Sequence, residues 1–218
     1  MQFLIGSLNW IAISTRPDIS TIVAFLSKFT HHPTQSHIDS AIRVVKYLKG
    51  TKHLAISFLT NATKTLLAFV NFPIQTEELT ALTDANWGPQ DQANPGPGKN
   101  KQKQLELFKT WSMSGYMIWL NGPIHWVAKR QTYTARSSAE AEIYTTNECT
   151  KQLKYISLIL SDLRLKRSIM PRPTPIYNDN RACLLWSEAM TTKGLRHVQI
   201  RETAFEKWNR ITILKFYT

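Results

Sequence analysis

Cysteine is nearly absent from this chain. Cys149 and Cys183 are its only two, far apart and without the spacing of metal-ligand pairs. A disulfide-stapled scaffold is thereby excluded, and both are expected to be buried, reduced thiols of an intracellular protein, cytoplasmic or nuclear. Long apolar runs are missing as well: no stretch approaches the ~18 uninterrupted apolar residues of a membrane span. Residues 1–13 are apolar but have no basic lead-in and no small-residue cleavage site, so no secretory leader and no membrane partner are expected. Acids are scarce, with 15 Asp+Glu against 27 Lys+Arg for a formal net charge of +12 over 218 residues. The excess is not confined to one end, since residues 1–60 hold six Lys/Arg against two Asp/Glu. A polyanionic partner follows from this balance, nucleic acid ahead of a membrane because no basic amphipathic helix stands out. What the chain does have is the material of a core: 43% hydrophobic residues, with seven Trp, seven Tyr and nine Phe. That is too much for a disordered segment, and the length suits one full domain with an attached piece, or two small ones.

Hydrophobic periodicity gives the organisation. Pro17 opens a helical stripe of Ile19, Ile22, Val23, Leu26 and Phe29 over residues 17–29. After the break at His31-His32-Pro33, Ile38, Ala41, Ile42, Val45 and Leu48 predict a second helix that ends at Gly50 and carries Arg43, Lys46 and Lys49 on its outer face. From residue 54 the runs become short and strand-like, at 54–58, 65–70 and 79–83. Residues 88–104 hold turn formers and lysines without periodicity and read as a flexible insertion. Strands at 116–120 and 124–128 flank Asn121-Gly122, a strong hairpin signal. Ser137 followed by Glu140 fits a capping box, and a long helix with the stripe Ala139, Ile143, Thr146, Leu153, Ile156, Leu160 and Leu163 should follow before the prolines at 171, 173 and 175. A short strand at Ile176 and Tyr177, a helix at 181–190 and a strand at 211–216 complete an α/β arrangement with a mixed sheet.

Three of the scarce acids fall at element boundaries: Asp84 at the close of a strand, Glu142 in the first turns of the long helix, and Asp179 just past a strand and before a helix. Strand ends are where α/β sheets bind ligands, and hard divalent cations need several oxygen donors. Position alone leaves simpler roles open: Asp179 as an N-cap, Asp84 as a turn residue, Glu142 as a solvent-facing acid near the helix dipole. Glu140 and Glu142 lie roughly 200° apart around the helix, so they cannot share one cluster. Glu140 fits the capping role, which leaves Glu142 as the candidate ligand.

The stretches Gly6-Ser7-Leu8, Thr15-Arg16-Pro17-Asp18-Ile19-Ser20, Leu26-Ser27-Lys28-Phe29, Pro33-Thr34 and Tyr47-Leu48-Lys49-Gly50-Thr51 closely resemble the segment that follows the polymerase core in copia-type LTR retrotransposon polyproteins. Downstream, Asp84-Ala85-Asn86-Trp87, Ser114-Gly115-Tyr116, Ile124-His125-Trp126, Lys129-Arg130-Gln131, Ser137-Ser138-Ala139-Glu140-Ala141-Glu142 and Asn178-Asp179-Asn180-Arg181-Ala182 are similar to that family's ribonuclease H domain. The resemblance implies a ribonuclease H-like mixed sheet flanked by helices. It places a helical connection segment at 1–53 and the ribonuclease H-like domain at 54–218, with an insertion near 88–110. It also implies that Asp84, Glu142 and Asp179 are three of four acids that bind two Mg²⁺ (or Mn²⁺) ions. The implied activity is hydrolysis of the RNA strand of an RNA–DNA hybrid. Lys129, Arg130 and Arg136 are then candidate phosphate contacts, and Trp87, beside Asp84, a candidate stacking residue. The remainder of a polyprotein is an implied partner.

The resemblance has gaps. The family's fourth acid belongs to an Asn-x-Ala-Asp segment after the last strand, whereas this sequence ends at Tyr217-Thr218; Gln199 stands in His197-Val198-Gln199-Ile200 where the family has Asp; and the insertion interrupts a usually short connection. Glu202 and Glu206 are the nearby acids that would have to stand in for the lost charge. Two expectations follow: a metal-dependent ribonuclease H module, impaired by truncation, or a catalytically silent remnant that still binds nucleic acid through its basic surface. Polymerase activity is not expected, since no polymerase-type Asp-Asp pair is present.

Overall fold

A computed structural model of the chain describes residues 1–58, 79–86, 112–132, 135–164, 174–189 and 212–216. The strand expected at 65–70, the insertion near 88–110, Trp87, His197, Gln199, Glu202 and Glu206 lie outside the described residues.

The chain begins with a helix that hydrophobic periodicity did not single out: α1, Gln2–Ser14, buries Ile5, Leu8 and Ala12. The helix expected from Pro17 opens instead as a 3₁₀ turn, Pro17–Ile19, before α2, Ser20–Ser27. The Ile19 N–H reaches back three residues to the Arg16 carbonyl at 3.3 Å, the tighter closure that commonly starts a helix. Helix α3 spans Gln35–Gly50. Its core face is Ala41 and Val44, while Ile42 and Val45 from the expected stripe are about two-fifths exposed. The rotation of α3 is fixed by polar anchors that an apolar stripe does not reveal. Arg16, buried at the α1–α2 junction, grips Asp18 with two nitrogens (2.9 and 2.6 Å) and reaches the Thr51 carbonyl (3.1 Å) and hydroxyl (2.8 Å) at the end of α3. Tyr47 on α3 donates to Asp18 at 2.9 Å. The expected basic residues Arg43, Lys46 and Lys49 are exposed.

The second unit is a five-stranded sheet in the order β3-β2-β1-β4-β5, formed by β1 Thr80–Asn86, β2 Met113–Trp119, β3 Pro123–Arg130, β4 Thr174–Asn178 and β5 Thr212–Phe216. β1, β2 and β3 pair antiparallel, and β1–β4 and β4–β5 pair parallel. The expected hairpin is present, with Asn121 at φ 56° in the left-handed region that Asn tolerates. Residues 54–58 form no regular element, contrary to the strand expected there. They pass over the hairpin turn so closely that a Cβ on Gly122 would stand 2.8 Å from the Ser57 carbonyl oxygen and 2.7 Å from the Phe58 ring, so packing against the turn takes the place of strand pairing.

Helix α4, Ser138–Asp162, lies across the sheet, and α5, Arg181–Ala189, follows β4. The expected stripe of α4 is largely buried, with Ile143, Thr146, Leu153 and Leu160 inside and Leu163 exposed, and the face against the sheet widens beyond it to Ala141, Thr145 and Cys149. Threonines serve in this core because their hydroxyls are satisfied locally: Thr145 donates to the Ala141 carbonyl at 3.0 Å and Thr150 to that of Thr146 at 2.8 Å. Around Cys149 and Leu153 gather Leu79, Ala81, Tyr116, Ile118 and Ile176. Each large aliphatic buried there is worth about 1.5–3 kcal/mol. Both cysteines are buried and unpaired, as expected. The helical unit meets the sheet at β3, where the Trp126 indole donates to the Ala12 carbonyl at 2.7 Å. The whole is the mixed sheet flanked by helices, preceded by a small helical segment, that the sequence led us to expect.

Candidate metal centre

The site starts from two neighbouring parallel strands. Leu82 of β1 is in register with Tyr177 of β4, so Asp84 and Asp179 each come two residues later at the carboxyl ends of strands ~4.8 Å apart. The simpler roles open to each are taken by other residues. Asp84 is no turn residue: it sits inside β1, opposite Gly115 of β2. Asp179 does not cap α5, because Asn180 Oδ1 accepts from the Cys183 N–H at 3.1 Å.

The third acid arrives on α4. Ser137 caps the helix by accepting from the Glu140 N–H at 3.1 Å, and the Glu140 carboxylate turns back to the Arg136 N–H at 2.7 Å. Glu142 therefore points the other way, into the sheet, where it is buried. Its Oε1 accepts from the Ala85 N–H and its Oε2 from the Asn178 side-chain amide, each at 2.9 Å. Asp84, Glu142 and Asp179 each offer a carboxylate oxygen, and these lie within 4.8 Å of one another.

Such crowding makes the negative charge costly. Burial, with smaller contributions from Asp84 and Asp179, pushes the Glu142 carboxyl up to about 7 despite the Asn178 and Ala85 hydrogen bonds that favour its anion. Asp84 is exposed, yet the chain around it removes part of its hydration, which raises its carboxyl, as Asp179 then does, with the Ala85 N–H pulling the other way. Three hard oxygen donors whose mutual repulsion a divalent cation would relieve form a set that fits Mg²⁺ or Mn²⁺. Soft ligands are not part of it: Cys183 is close enough to accept or donate a 3.7 Å contact with Thr146, but burial holds its thiol up to about 12, in the neutral form.

The basic candidates sit at the same end of the sheet. Lys129 is across from Ser114 of β2, which is across from Ala85, and Arg130 follows the same rows through Met113 to Asn86. Both side chains are exposed, and Lys129 lies 3.2 Å from Glu148 on α4. Arg136 is exposed just ahead of the α4 cap. Sequence reasoning missed Asn178, whose signal was a polar residue at the buried end of a strand beside an acid. It also gave no mechanical role to Arg16, although Thr15-Arg16-Pro17-Asp18 and the Tyr47–Thr51 motif are the pieces that this network joins.

Sheet order and flanking helices define a ribonuclease H-like fold. No family model matches the chain. Among curated proteins it is similar to the retrovirus-related Pol polyproteins from transposons RE1 and RE2 of Arabidopsis thaliana, with 31% and 30% identity over 199 residues, 90% of this chain and 11% of each relative. The polyprotein from transposon TNT 1-94 of Nicotiana tabacum is 25% identical over 198 residues, 90% of this chain and 12% of that protein. Over nearly its whole length the chain is thus a relative of the Pol polyproteins of copia-type transposons, and it spans about a ninth of their length. Among solved structures, LC11-RNase H1, isolated from compost by a metagenomic approach, aligns at 11% identity and a TM-score of 0.42 over 65% of this chain and 85% of that one. So partial a superposition adds nothing to the strand order itself.

Proposed function

We propose that the chain is a ribonuclease H-type module that cleaves the RNA strand of RNA–DNA hybrids with divalent metal ions. The observation that carries this reading is the convergence of Asp84, Glu142 and Asp179, with one oxygen of each within 4.8 Å of the others. Two Mg²⁺ or Mn²⁺ ions held there would supply positive charge that makes water more acidic and offsets the charge developing on a phosphodiester. The protein's own contribution is unequal among the three acids. Glu142 is buried with both oxygens already hydrogen-bonded, which fixes its position, whereas Asp84 and Asp179 are exposed and face the side from which a substrate approaches. Lys129, Arg130 and Arg136 are the phosphate contacts in this reading, Lys129 on exchange of its Glu148 partner. Hybrid recognition then rests on backbone shape and 2′-hydroxyls rather than base sequence.

The same reading divides the chain into a helical connection segment at 1–53 and the ribonuclease H-like domain at 54–218. Separate buried clusters support that division, one around Ile5, Leu8, Val23 and Ala41 and the other around Ile118, Leu153 and Ile176. The two buried, unpaired thiols support an intracellular setting, and among the described residues no helix is long and apolar enough to cross a membrane. The remainder of a Pol polyprotein is the partner that the relatives suggest.

The test is incubation of the purified chain with a labelled RNA–DNA hybrid in Mg²⁺, Mn²⁺ or chelator, beside Asp84→Asn. Metal-dependent cleavage of the RNA strand, lost in the variant, is the expected result. Salt-sensitive retention of the hybrid without cleavage in any metal would sink the enzymatic reading and leave nucleic-acid binding alone.

A further inference from the structure

Asn178 is almost wholly buried, 1% exposed, at the last position of β4. Its Oδ1 accepts from the Asn180 N–H at 2.7 Å. That bond fixes which way the amide faces, because only a carbonyl oxygen can receive an N–H. The amide nitrogen is thereby turned toward β1 and α4, where it donates to Thr83 Oγ1 and to Glu142 Oε2, each at 2.9 Å, with Thr146 Oγ1 farther off at 3.4 Å. One side chain thus joins the strand before Asp84, the helix acid and the turn that carries Asp179 into its capping partner Asn180.

From this geometry we infer that Asn178 is a positioning residue for the acid cluster: its amide holds the Glu142 carboxylate in the one rotamer that meets Asp84 and Asp179. The inference rests on the metal-centre reading for its consequence, but the hold itself is a property of the metal-free fold. A glutamate has three side-chain torsions to lose on entering a site. The Ala85 N–H fixes one oxygen, and the Asn178 amide fixes the other. With both held, the plane of the carboxylate is set, and an oxygen of each aspartate lies within 4.8 Å of it. Partners that orient a metal ligand in this way typically change metal affinity by roughly 10–100-fold when removed.

Two measurements on the full chain separate the hold from its consequence. In the metal-free wild type, the Asn178 side-chain amide protons, assigned through their scalar connectivity to the Asn178 backbone, should exchange with solvent far more slowly than those of exposed Asn9, and their resonance should move in Glu142→Gln. Exchange as fast as that of Asn9 would overturn the inference without any variant having to fold. Mn²⁺ titration followed by electron paramagnetic resonance should then show affinity weakened by roughly 10–100-fold in Asn178→Ser. Thr145→Val is the control, because it loses buried hydroxyl contacts between α4 and the sheet without touching Asn178 or Glu142; its Mn²⁺ affinity should stay within about twofold of wild type. Equal weakening in both variants would make Asn178 merely structural. Failure of the wild type to bind Mn²⁺ would overturn the metal-centre reading, and proton exchange would still decide whether Asn178 holds Glu142.

Discussion

Glu142 accepts a 2.9 Å hydrogen bond from the backbone N–H of Ala85, which fastens the acid of α4 to the residue that follows Asp84 on β1. Because Glu142 is buried beside two other carboxylates, its carboxyl is pushed up to about 7 from an ordinary 4.5. Between those values the folded chain keeps a proton that the unfolded chain releases, so this group's contribution to stability is present at low pH and is lost as pH rises toward 7. The loss amounts to about 3 kcal/mol. Urea unfolding of the metal-free chain at pH 5, 6, 7 and 8 should show wild type falling more steeply than Glu142→Gln by about that amount. At pH 8, Mn²⁺ at a hundred times its dissociation constant should return about 2.7 kcal/mol. Parallel pH profiles for the two proteins would contradict the buried-acid geometry.

Adjacent residues at the end of β4 should separate cleanly in function. Asp179→Asn removes a ligand and should lower hybrid cleavage by more than about 100-fold while shifting the melting temperature little, since Asp179 is exposed. Asn180→Ala removes the α5 cap and should cost about 1 kcal/mol of stability with cleavage retained. Thermal melting and a cleavage assay on the two variants check this, and an exchange of the two phenotypes would show that the assignment of cap and ligand is reversed.

Arg16 should behave as a structural residue that lysine cannot replace. Its guanidinium serves Asp18 and Thr51 together, a fork that a point-like ammonium does not reproduce. Arg16→Met leaves Asp18 and the end of α3 without their partner and should cost about 2–4 kcal/mol, with Arg16→Lys recovering less than half of it. Chemical denaturation measures both, and a lysine variant as stable as wild type would show that charge alone matters there.

Charge removal at the end of the sheet should appear in salt dependence. Replacing Arg130 or Arg136 by Gln should weaken hybrid binding similarly for all sequences and lower the slope of log K against log salt by about 1 each. Lys129→Gln should act in the same direction, its ammonium exchanging Glu148, 3.2 Å away, for a phosphate. Fluorescence anisotropy with a labelled hybrid at several salt concentrations reads the slopes, and unchanged slopes would remove these residues from the interface.

Much of the candidate site was legible because its parts are local. The Ser137 cap, the opposed faces of Glu140 and Glu142 and the Asn121-Gly122 turn each depend on a few consecutive residues, and each is found where sequence put it. The sheet-facing stripe of α4 was harder to read. Thr145 and Thr150 look polar in a sequence, yet they are buried because the helix itself accepts their hydroxyl protons. The turn of α3 about its axis was hidden for a related reason, since Tyr47 and Thr51 are held by residues about 30 positions earlier.

The sequence alone carried the order of most helices and strands, because periodicity and capping are written in neighbouring residues, and its resemblance to copia-type polyproteins pointed to the ribonuclease H-like class and to three candidate acids. Tertiary structure decided what those acids can do together. It set β4 beside β1 with Leu82 opposite Tyr177, fastened Glu142 to the Ala85 N–H and aimed Asn178 at the Glu142 carboxylate. These contacts join residues 36 to 95 positions apart, and no local preference specifies them. They exist because burying the faces of α4 and the sheet forces the polar groups between them to satisfy one another.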